Sequence, residues 1–557
     1  MIARYLENYN RNDQDIFFSR NEKTFLLVIT IIGSLLRIYY QYDREFIGDE
    51  VGTIIFIEKS FSYLLSHYEV WLTMNYYIVL EKIFLSLFGK NPISLGFISI
   101  FAGICIIPLT AILSRQLTTS RVATIAAGLV AINPYLISYS GIIRSYSLLT
   151  AWSLTAIILY IKWHSQHTVK NGIWFSIACF FLLLFHIYGV YTLAFLIILT
   201  GLNLYISMTK RHALTVAKTL LIPLLVSMLL FAVSHIKIFP GILKIGSQWH
   251  DIPPTSISYL PYIFSEYFGK TYFGLLSLIF LGIGLWNAWK YKKFLLLLSL
   301  NIIVPIVLIS LQGLSHFPWA YGRFLIFCIP VLIIFISQGL ESLTNASILA
   351  RKQFLGVLIL FTLLCASWVP NMTETFQKKR RVSESFLNQA ATIIENKYKT
   401  NDLILCTDWF SELHLQQYLS KQTYNIVSIN DFINNRNSER TGDHIFLLCG
   451  SDIKSMFPQY NNEKGTITIY PFRSKNYVLT KINDDLKTSV NNAETNTVNN
   501  QLYLILCQIN KYMDTSQAGV YCNLWNEYDK KTVGTWDHSL RMKNIFRQSR
   551  WQRQLGD

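Results

Sequence analysis

The sequence predicts a polytopic α-helical membrane protein of about eleven transmembrane helices, with interfacial helices in its first outer loop and a C-terminal extracytoplasmic α/β domain. Three observations predict it. The 557 residues are 52% hydrophobic and only 15% charged, against about 25% charged in an ordinary soluble protein. Long apolar runs fill residues 1–370 and stop there, and residues 371–557 have the composition of a soluble domain. The net charge of +16 is uneven as well: residues 371–557 carry 23 Lys/Arg and 19 Asp/Glu, a net +4, which leaves +12 on residues 1–370. A nucleic-acid binder gathers positive charge on a folded soluble face. Here the charge sits between apolar runs, as the positive-inside rule requires, and no nucleic-acid partner is expected.

A bilayer core of roughly 30 Å takes about 20 apolar residues of helix. Spans are expected near 25–42, 94–113, 122–138, 146–162, 173–187, 189–208, 219–237, 272–288, 294–312, 323–342 and 354–370. The 173–208 stretch reads either as two short helices turning at Tyr188-Gly189 or as one long tilted helix. Arg4, Arg11, Arg20 and Lys23 precede the first span, and alternate short loops carry Arg115/Arg121, Lys162/Lys170, Lys210/Arg211/Lys218, Lys290/Lys292/Lys293 and Arg351/Lys352. These loops are expected to face the cytoplasm with the N-terminus. Residues 43–93, 139–145, 238–271, 313–322 and 371–557 are then on the outer side of an inner or plasma membrane. No small-residue cleavage site follows the first span, so it reads as an uncleaved anchor.

The first outer loop is more than a linker. Residues 53–66 and 70–88 space their apolar side chains as helices do, for instance Ile54, Ile57, Phe61, Leu64 and Leu65, which fits helices lying in the interface. The loop also holds most of the acid. Up to Pro370 there are 14 acidic residues, 7 of them between Asp43 and Glu81, and none between Gly89 and Trp249. A membrane enzyme needing a base or a metal ligand has a short choice, and Asp49-Glu50, flanked by Gly48 and Gly52, heads it. A carboxylate at a membrane surface suits general-base chemistry; the plain alternative is a solvated acid pair. Glu69 is a second candidate, to orient an acceptor or to join Asp49 at a divalent cation such as magnesium or manganese, or else simply part of an exposed polar face. Tyr76 and Tyr77 follow it and are candidate pocket residues.

Arg144, with Tyr146, begins a span from the outer side and is the only charged residue between Arg121 and Lys162. Ionisable groups at membrane depth mark function by default, and the planar guanidinium fork suits a phosphate. Arg323, preceded by Tyr321, stands at a second outer boundary. Snorkelling to the interface is the competing account of both arginines. His186 with Tyr188, and His250-Asp251, also face outward, but no metal-ligand spacing joins the histidines.

After Pro370 a helix is expected over 382–397, then short apolar runs at Asp402–Cys406, His444–Cys449 and Leu502–Cys507, suited to buried strands. Cys406, Cys449 and Cys507 end those strands and Cys522 follows; they read as small buried hydrophobes, with a disulfide left open. Residues 486–500 read as a polar loop, and the tail after Arg541 is basic. No internal repeat, zinc spacing or phosphate-binding glycine loop is present.

The order of these features resembles the GT-C glycosyltransferases, in the branch of protein O-mannosyltransferases, aminoarabinose transferases and related bacterial membrane enzymes. The residues that carry the likeness are Arg37 before Asp49-Glu50, Asn75-Tyr76-Tyr77 before Phe88-Gly89, Asn133-Pro134-Tyr135 with Ser140, Arg144-Ser145-Tyr146-Ser147, and Tyr321-Gly322-Arg323 leading to Pro330. Two departures stand beside it. Leu72–Tyr77 lacks the prolines often found in that segment, and Ile142-Ile143 replace the acid that usually precedes the arginine element. The resemblance implies an inverting transferase moving a sugar from a polyprenyl-phosphate donor to a hydroxyl of a glycan, lipid or protein acceptor at the outer face. It implies Asp49 as base, Glu50 and Glu69 at the acceptor or a cation, and Arg144 and Arg323 on the donor phosphate. A transporter or lipid flippase for a glycan precursor is the rival from another class; it predicts paired repeats and charges at mid-membrane.

Overall fold

A computed structural model describes residues 18–42, 44–46, 49–66, 75–89, 92–166, 168–208, 225–226, 228–229, 232, 260–269, 272–291, 298–313, 322–346, 353–377, 386–398, 403–406, 415–416, 418–419, 424–428, 444–450, 465–472 and 502–509. The chain divides into two compact units, Met1–Arg380 and Arg381–Asp557.

In the first unit, α1 (Arg20–Gln41) opens on a capping box in which Glu22 N donates to Ser19 Oγ at 3.3 Å and Ser19 N donates to Glu22 Oε2 at 2.7 Å. Three shorter helices follow: α2 (Asp49–Glu58), α3 (Phe61–Ser66) and α4 (Asn75–Phe88). Their apolar sides close a cluster of Ile54, Ile57, Leu64, Tyr77 and Ile78 with Leu95 and Ile143. Asp49 and Glu50, which the sequence places in a loop, both lie in the first turn of α2, where acids are favoured by the helix dipole.

Helices α5 (Pro92–Leu117), α6 (Ser120–Ile132) and α7 (Pro134–Gly141) come next. The last two form one apolar path bent by 54°. Pro134 causes the break. It forces Asn133 into extended backbone (φ −63, ψ 119) and brings no N–H for the carbonyl of Val130. Arg37, fully buried on α1, supplies donors instead. Its guanidinium donates to Val130 O at 3.2 Å, Ala131 O at 3.0 Å, Gly33 O at 2.9 Å and Ser140 Oγ at 3.2 Å. Asn133 caps the restarted helix, accepting from Leu136 N at 2.9 Å.

Helices α8 (Tyr146–Gln166), α9 (Val169–Phe185) and α10 (Gly189–Met208) complete this part of the bundle. The 173–208 stretch is therefore two helices. At the turn Gly189 N donates to His186 O at 2.9 Å, and a β-carbon at Gly189 would stand 2.6 Å from Leu182 O.

Then come α11 (Leu260–Phe268), α12 (Tyr272–Tyr291) and α13 (Leu300–Gly313), a 3-10 helix at Gly322–Cys328, α14 (Ile329–Ala346) and α15 (Gln353–Gln377). Helix α15 runs through Pro370, where the sequence reading ended the last span; membrane helices tolerate such prolines. Beyond it, Phe376 packs its ring 5.6 Å from both Tyr39 and Tyr40 of α1. Among the described residues four helices are long and apolar enough to cross a membrane, or five with the bent α6–α7 pair. The predicted span 219–237 falls largely outside the described residues. The buried core is apolar and shared by α5, α6, α8, α9, α10 and α14.

In the second unit α16 (Phe386–Lys397) packs Ala390, Ala391 and Ile394 against Ile404. A five-stranded sheet is built from β1 (Leu403–Cys406), β2 (Asn425–Ser428), β3 (His444–Gly450), β4 (Gly465–Phe472) and β5 (Leu502–Ile509), in the order β2-β1-β3-β5-β4. β1 lies parallel to β2 and β3, and β5 runs antiparallel to β3 and β4. β1, β3 and β5 are the apolar runs read from the sequence. β4 alternates Thr with Ile, the one-sided pattern of a sheet edge, and was not singled out.

Candidate active site

The first unit gathers Arg44, Glu50, Glu81, Ser99 and Arg144, all buried, around one segment. The segment Gly141–Ser145, between α7 and α8, is held there by its backbone. Arg44 donates to Gly141 O at 2.6 Å, Ile143 N donates to Glu50 Oε1 at 2.9 Å, and Ser99 Oγ donates to Arg144 O at 2.9 Å. The Ile143 side chain is fully buried in the apolar cluster of α2, α3 and α4. The short helices after α1 therefore grip the peptide that carries Arg144.

Glu50 is 3% exposed, too buried for a bare carboxylate. Arg44, 4% exposed, meets it as a fork: one guanidinium nitrogen donates to Oε2 at 2.8 Å and the other pairs with Oε1. Arg44 also donates to Gln41 Oε1 at 3.2 Å.

Arg144 is 7% exposed, and a run of aromatic rings starts beside its segment. Tyr135 stacks on Tyr139 at 4.5 Å, Tyr139 meets Tyr146 edge-on at 5.6 Å, Tyr146 lies 5.4 Å from the His186 ring, and His186 lies 4.7 Å from Tyr188. Tyr188 meets Phe324 edge-on at 4.8 Å, and the Arg323 guanidinium lies 5.2 Å from that same Phe324 ring. The ring run therefore links the Arg144 segment, through Tyr146, His186, Tyr188 and Phe324, to Arg323, 179 residues later in the sequence. His186 Nδ1 accepts from Tyr188 N at 3.1 Å, which leaves the ring proton on Nε2.

The structure thus brings Arg144, Tyr146, His186 and Arg323 together, and places Glu50 against the same segment. Tyr76 is half-buried on α4, and Tyr77 is fully buried with its hydroxyl 2.8 Å from both Glu81 Oε1 and Ser99 Oγ. Asp49 is described by its backbone, in the first turn of α2. Glu69, Tyr321, His250 and Asp251 lie outside the described residues.

Three residues of this end escaped the sequence reading. Arg44 was hidden among charged neighbours. Glu81 is the one acid of α4 and stands four residues after Tyr77, a spacing that puts both on one helical face. Glu266, on α11, reaches the rim: its Oε2 lies 2.6 Å from where a β-carbon on Gly322 would be, and its charge acts on Tyr139 together with that of Arg323. Among the described residues no three His, Cys, Asp or Glu side chains gather as a metal site would need.

No family model matches the sequence, and no curated protein sequence does. Solved structures do match. ArnT from Cupriavidus metallidurans bound to undecaprenyl phosphate superposes with a TM-score of 0.56 at 11% identity, over 86% of this chain and 98% of that one. The apo state of the same protein gives 0.56 at 10% identity, over 87% and 98%. The apo oligosaccharyltransferase of Archaeoglobus fulgidus gives 0.53 at 12% identity, over 84% of this chain and 75% of that one. At such identities the likeness is one of architecture, and the chain has the fold of the GT-C glycosyltransferases.

Proposed function

We propose that the protein is an integral-membrane inverting glycosyltransferase that moves a sugar from a polyprenyl-phosphate donor to an acceptor hydroxyl at the outer membrane face. The observation that carries the reading is the run of aromatic rings from Tyr146 through His186, Tyr188 and Phe324 that joins the buried Arg144 segment to Arg323. Two cations with aromatic walls at a membrane boundary suit a lipid-linked phosphate and its sugar. The fold adds support, because its neighbour ArnT was crystallised with undecaprenyl phosphate.

In this reading Asp49 takes the proton of the acceptor hydroxyl. The acceptor oxygen bonds to the anomeric carbon from the face opposite the phosphate, the bond from that carbon to the phosphate oxygen breaks, and polyprenyl phosphate leaves with the electron pair. Arg144 and Arg323 offset the charge that grows on the leaving phosphate. Glu50 keeps Arg44 and the Arg144 segment in place while Asp49 works beside it. Tyr76, Tyr77, Tyr321, His186 and Glu69 belong to the pocket or its support, and Asp49 with Glu69 would hold a magnesium or manganese ion if one binds. The acceptor is a glycan, lipid or protein. The proposed topology has eleven spans, the N-terminus in the cytoplasm, a transferase domain over 1–370 and an extracytoplasmic α/β domain over 371–557.

The test is transfer by purified protein from polyprenyl-phosphate sugars, wild type against Asp49→Asn. Wild-type transfer is expected, with donor binding kept and nearly all turnover lost in Asp49→Asn. Full turnover in Asp49→Asn removes Asp49 as base. No transfer by the wild type, together with movement of the lipid across a reconstituted bilayer, replaces the reading with a flippase.

A further inference from the structure

Glu81 has no part in the chemistry just described, yet it is fully buried. It begins a chain of three contacts that ends on the main chain of Arg144. Glu81 Oε1 and Tyr77 Oη are 2.8 Å apart, Tyr77 Oη and Ser99 Oγ are 2.8 Å apart, and Ser99 Oγ donates to Arg144 O at 2.9 Å. Against an ionised Glu81 the Tyr77 hydroxyl donates to Oε1; with Ser99 donating to the carbonyl, both hydroxyl protons are then used and the Tyr77–Ser99 contact holds none. A proton on Glu81 completes the chain: Glu81 donates to Tyr77, Tyr77 to Ser99, and Ser99 to Arg144 O.

We propose that Glu81 is a positioning residue of the transferase site: through Tyr77 and Ser99 it holds the carbonyl of Arg144, and with it the arginine that binds the donor phosphate. The proposal rests on the transferase reading for its last link. Two features favour the neutral acid. Glu81 Oε2 is buried with no hydrogen bond of full geometry, only the Ile98 backbone N–H acting on the carboxyl, which a neutral carboxyl tolerates better than a carboxylate. Burial pushes the Glu81 carboxyl up to about 8. Tyr77 is the titratable group facing Glu81 from its own helix, and α5 presents Ser99. From α2 the charge of Glu50 reaches Tyr77. Of the other packed elements, α3 carries only Tyr63 as a titratable group, and α9 only Lys170, in its first turn, and Cys179. Among the described residues no full charge acts on Glu81 itself.

The experiment measures binding of polyprenyl phosphate to the full-length protein at pH 6 to 9.5, with thermal unfolding of the same samples. Variants are Glu81→Gln, Glu81→Ala and Ser99→Ala. Wild type is expected to lose donor affinity about tenfold as the pH passes 8, with kcat at saturation changed less than KM. Glu81→Ala and Ser99→Ala should show that loss at every pH. Glu81→Gln, whose amide N–H can serve Tyr77, should restore what Glu81→Ala loses and flatten the alkaline limb. An alkaline limb unchanged in Glu81→Gln, or a Glu81→Gln as weak as Glu81→Ala, overturns the proposal. Should the wild type bind no polyprenyl phosphate at any pH, the transferase reading fails and the donor-positioning role with it. Unfolding then separates the two: a wild-type loss of stability between pH 6 and 8 that Glu81→Gln lacks shows the proton chain intact under a different function.

Discussion

Where α12 crosses α14, two backbones touch. A β-carbon on Gly284 would fall 1.9 Å from Phe335 O, and one on Gly339 would fall 1.9 Å from Phe280 O. Where α2 and α4 meet the Gly141–Ser145 segment, side chains do the joining, through Arg44, Glu50, Tyr77, Glu81 and Ser99. In the bundle, close approach of small residues serves because lipid offers the helices no hydrophobic gain on association. At the site end the segment to be held is irregular, and its carbonyls and amides need partners. The first contact fixes two rods. The second fixes the place of one guanidinium, and its cost is several buried polar groups that each depend on another.

Arg37 is the strongest way to break that contrast, because it brings the polar device into the bundle. Arg37→Leu leaves the carbonyls of Val130 and Ala131 without their donors, at about 1–3 kcal/mol for each buried acceptor. The bend that aims α7, and with it Gly141–Ser145, should relax. Thermal unfolding in detergent is expected to fall sharply, and Arg37→Lys to recover only part, since one ammonium cannot reach all four acceptors. A variant as stable as wild type would mean that α6 and α7 keep their angle through Asn133 alone.

How much of this was legible follows from the same division. Apolar runs and basic loops gave the helices. Arg144 and Arg323 were visible because a charge stands out in an apolar sequence. The partners were not visible. The peptide that Glu50 accepts from lies 93 residues away, and the carbonyl that Arg44 holds lies 97 away. Periodicity carries no information at such separations. Arg37 was noticed, but as one element of a pattern; its work depends on Pro134, and the two meet only in three dimensions. Gly284 and Gly339 are invisible for another reason, since a glycine in an apolar run looks the same whether or not a backbone touches it.

Glu50→Ala comes next in size. It leaves the Arg44 charge buried and unpaired, which costs roughly 3–5 kcal/mol. The double variant Arg44→Met with Glu50→Leu should recover most of that stability, because no isolated charge remains. Donor binding should not recover with it, since Gly141 O and Ile143 N still lack their partners. Equal recovery of both would show that the pair serves stability alone.

Gly339→Ala tests the other half of the comparison. The added carbon meets Phe280 O, which is backbone and cannot turn away. Overpacking of this kind costs about 1–3 kcal/mol. The expected result is a lower unfolding temperature with donor affinity per folded molecule unchanged, the reverse of the double variant. A matching loss of affinity would show that strain at the α12–α14 crossing reaches Arg323 through the 3-10 helix that leads into α14.

The smallest effect is the most informative. Ser99→Ala removes one hydroxyl, whose bond to Arg144 O is worth about 1 kcal/mol of stability. An exposed segment would hide so small a change, but this one is buried. Glu81 gives the change a sign that pH can read. Its carboxyl titrates near 8 in the folded chain, well above the ordinary carboxyl range of about 4 to 4.5. Between those values the folded state binds more protons than the unfolded one, so wild-type stability falls as the pH rises through that window, and Glu81→Gln lacks the fall. Ser99→Ala frees the Tyr77 proton for Glu81 in either ionisation state. The fall should therefore end at lower pH in Ser99→Ala than in wild type, because the carboxylate gains a donor that Ser99 no longer claims and the folded-state value drops toward the ordinary range. An end at the same pH in both would mean that Tyr77 already donates to Glu81, and the site end would be held as the bundle is, by packing.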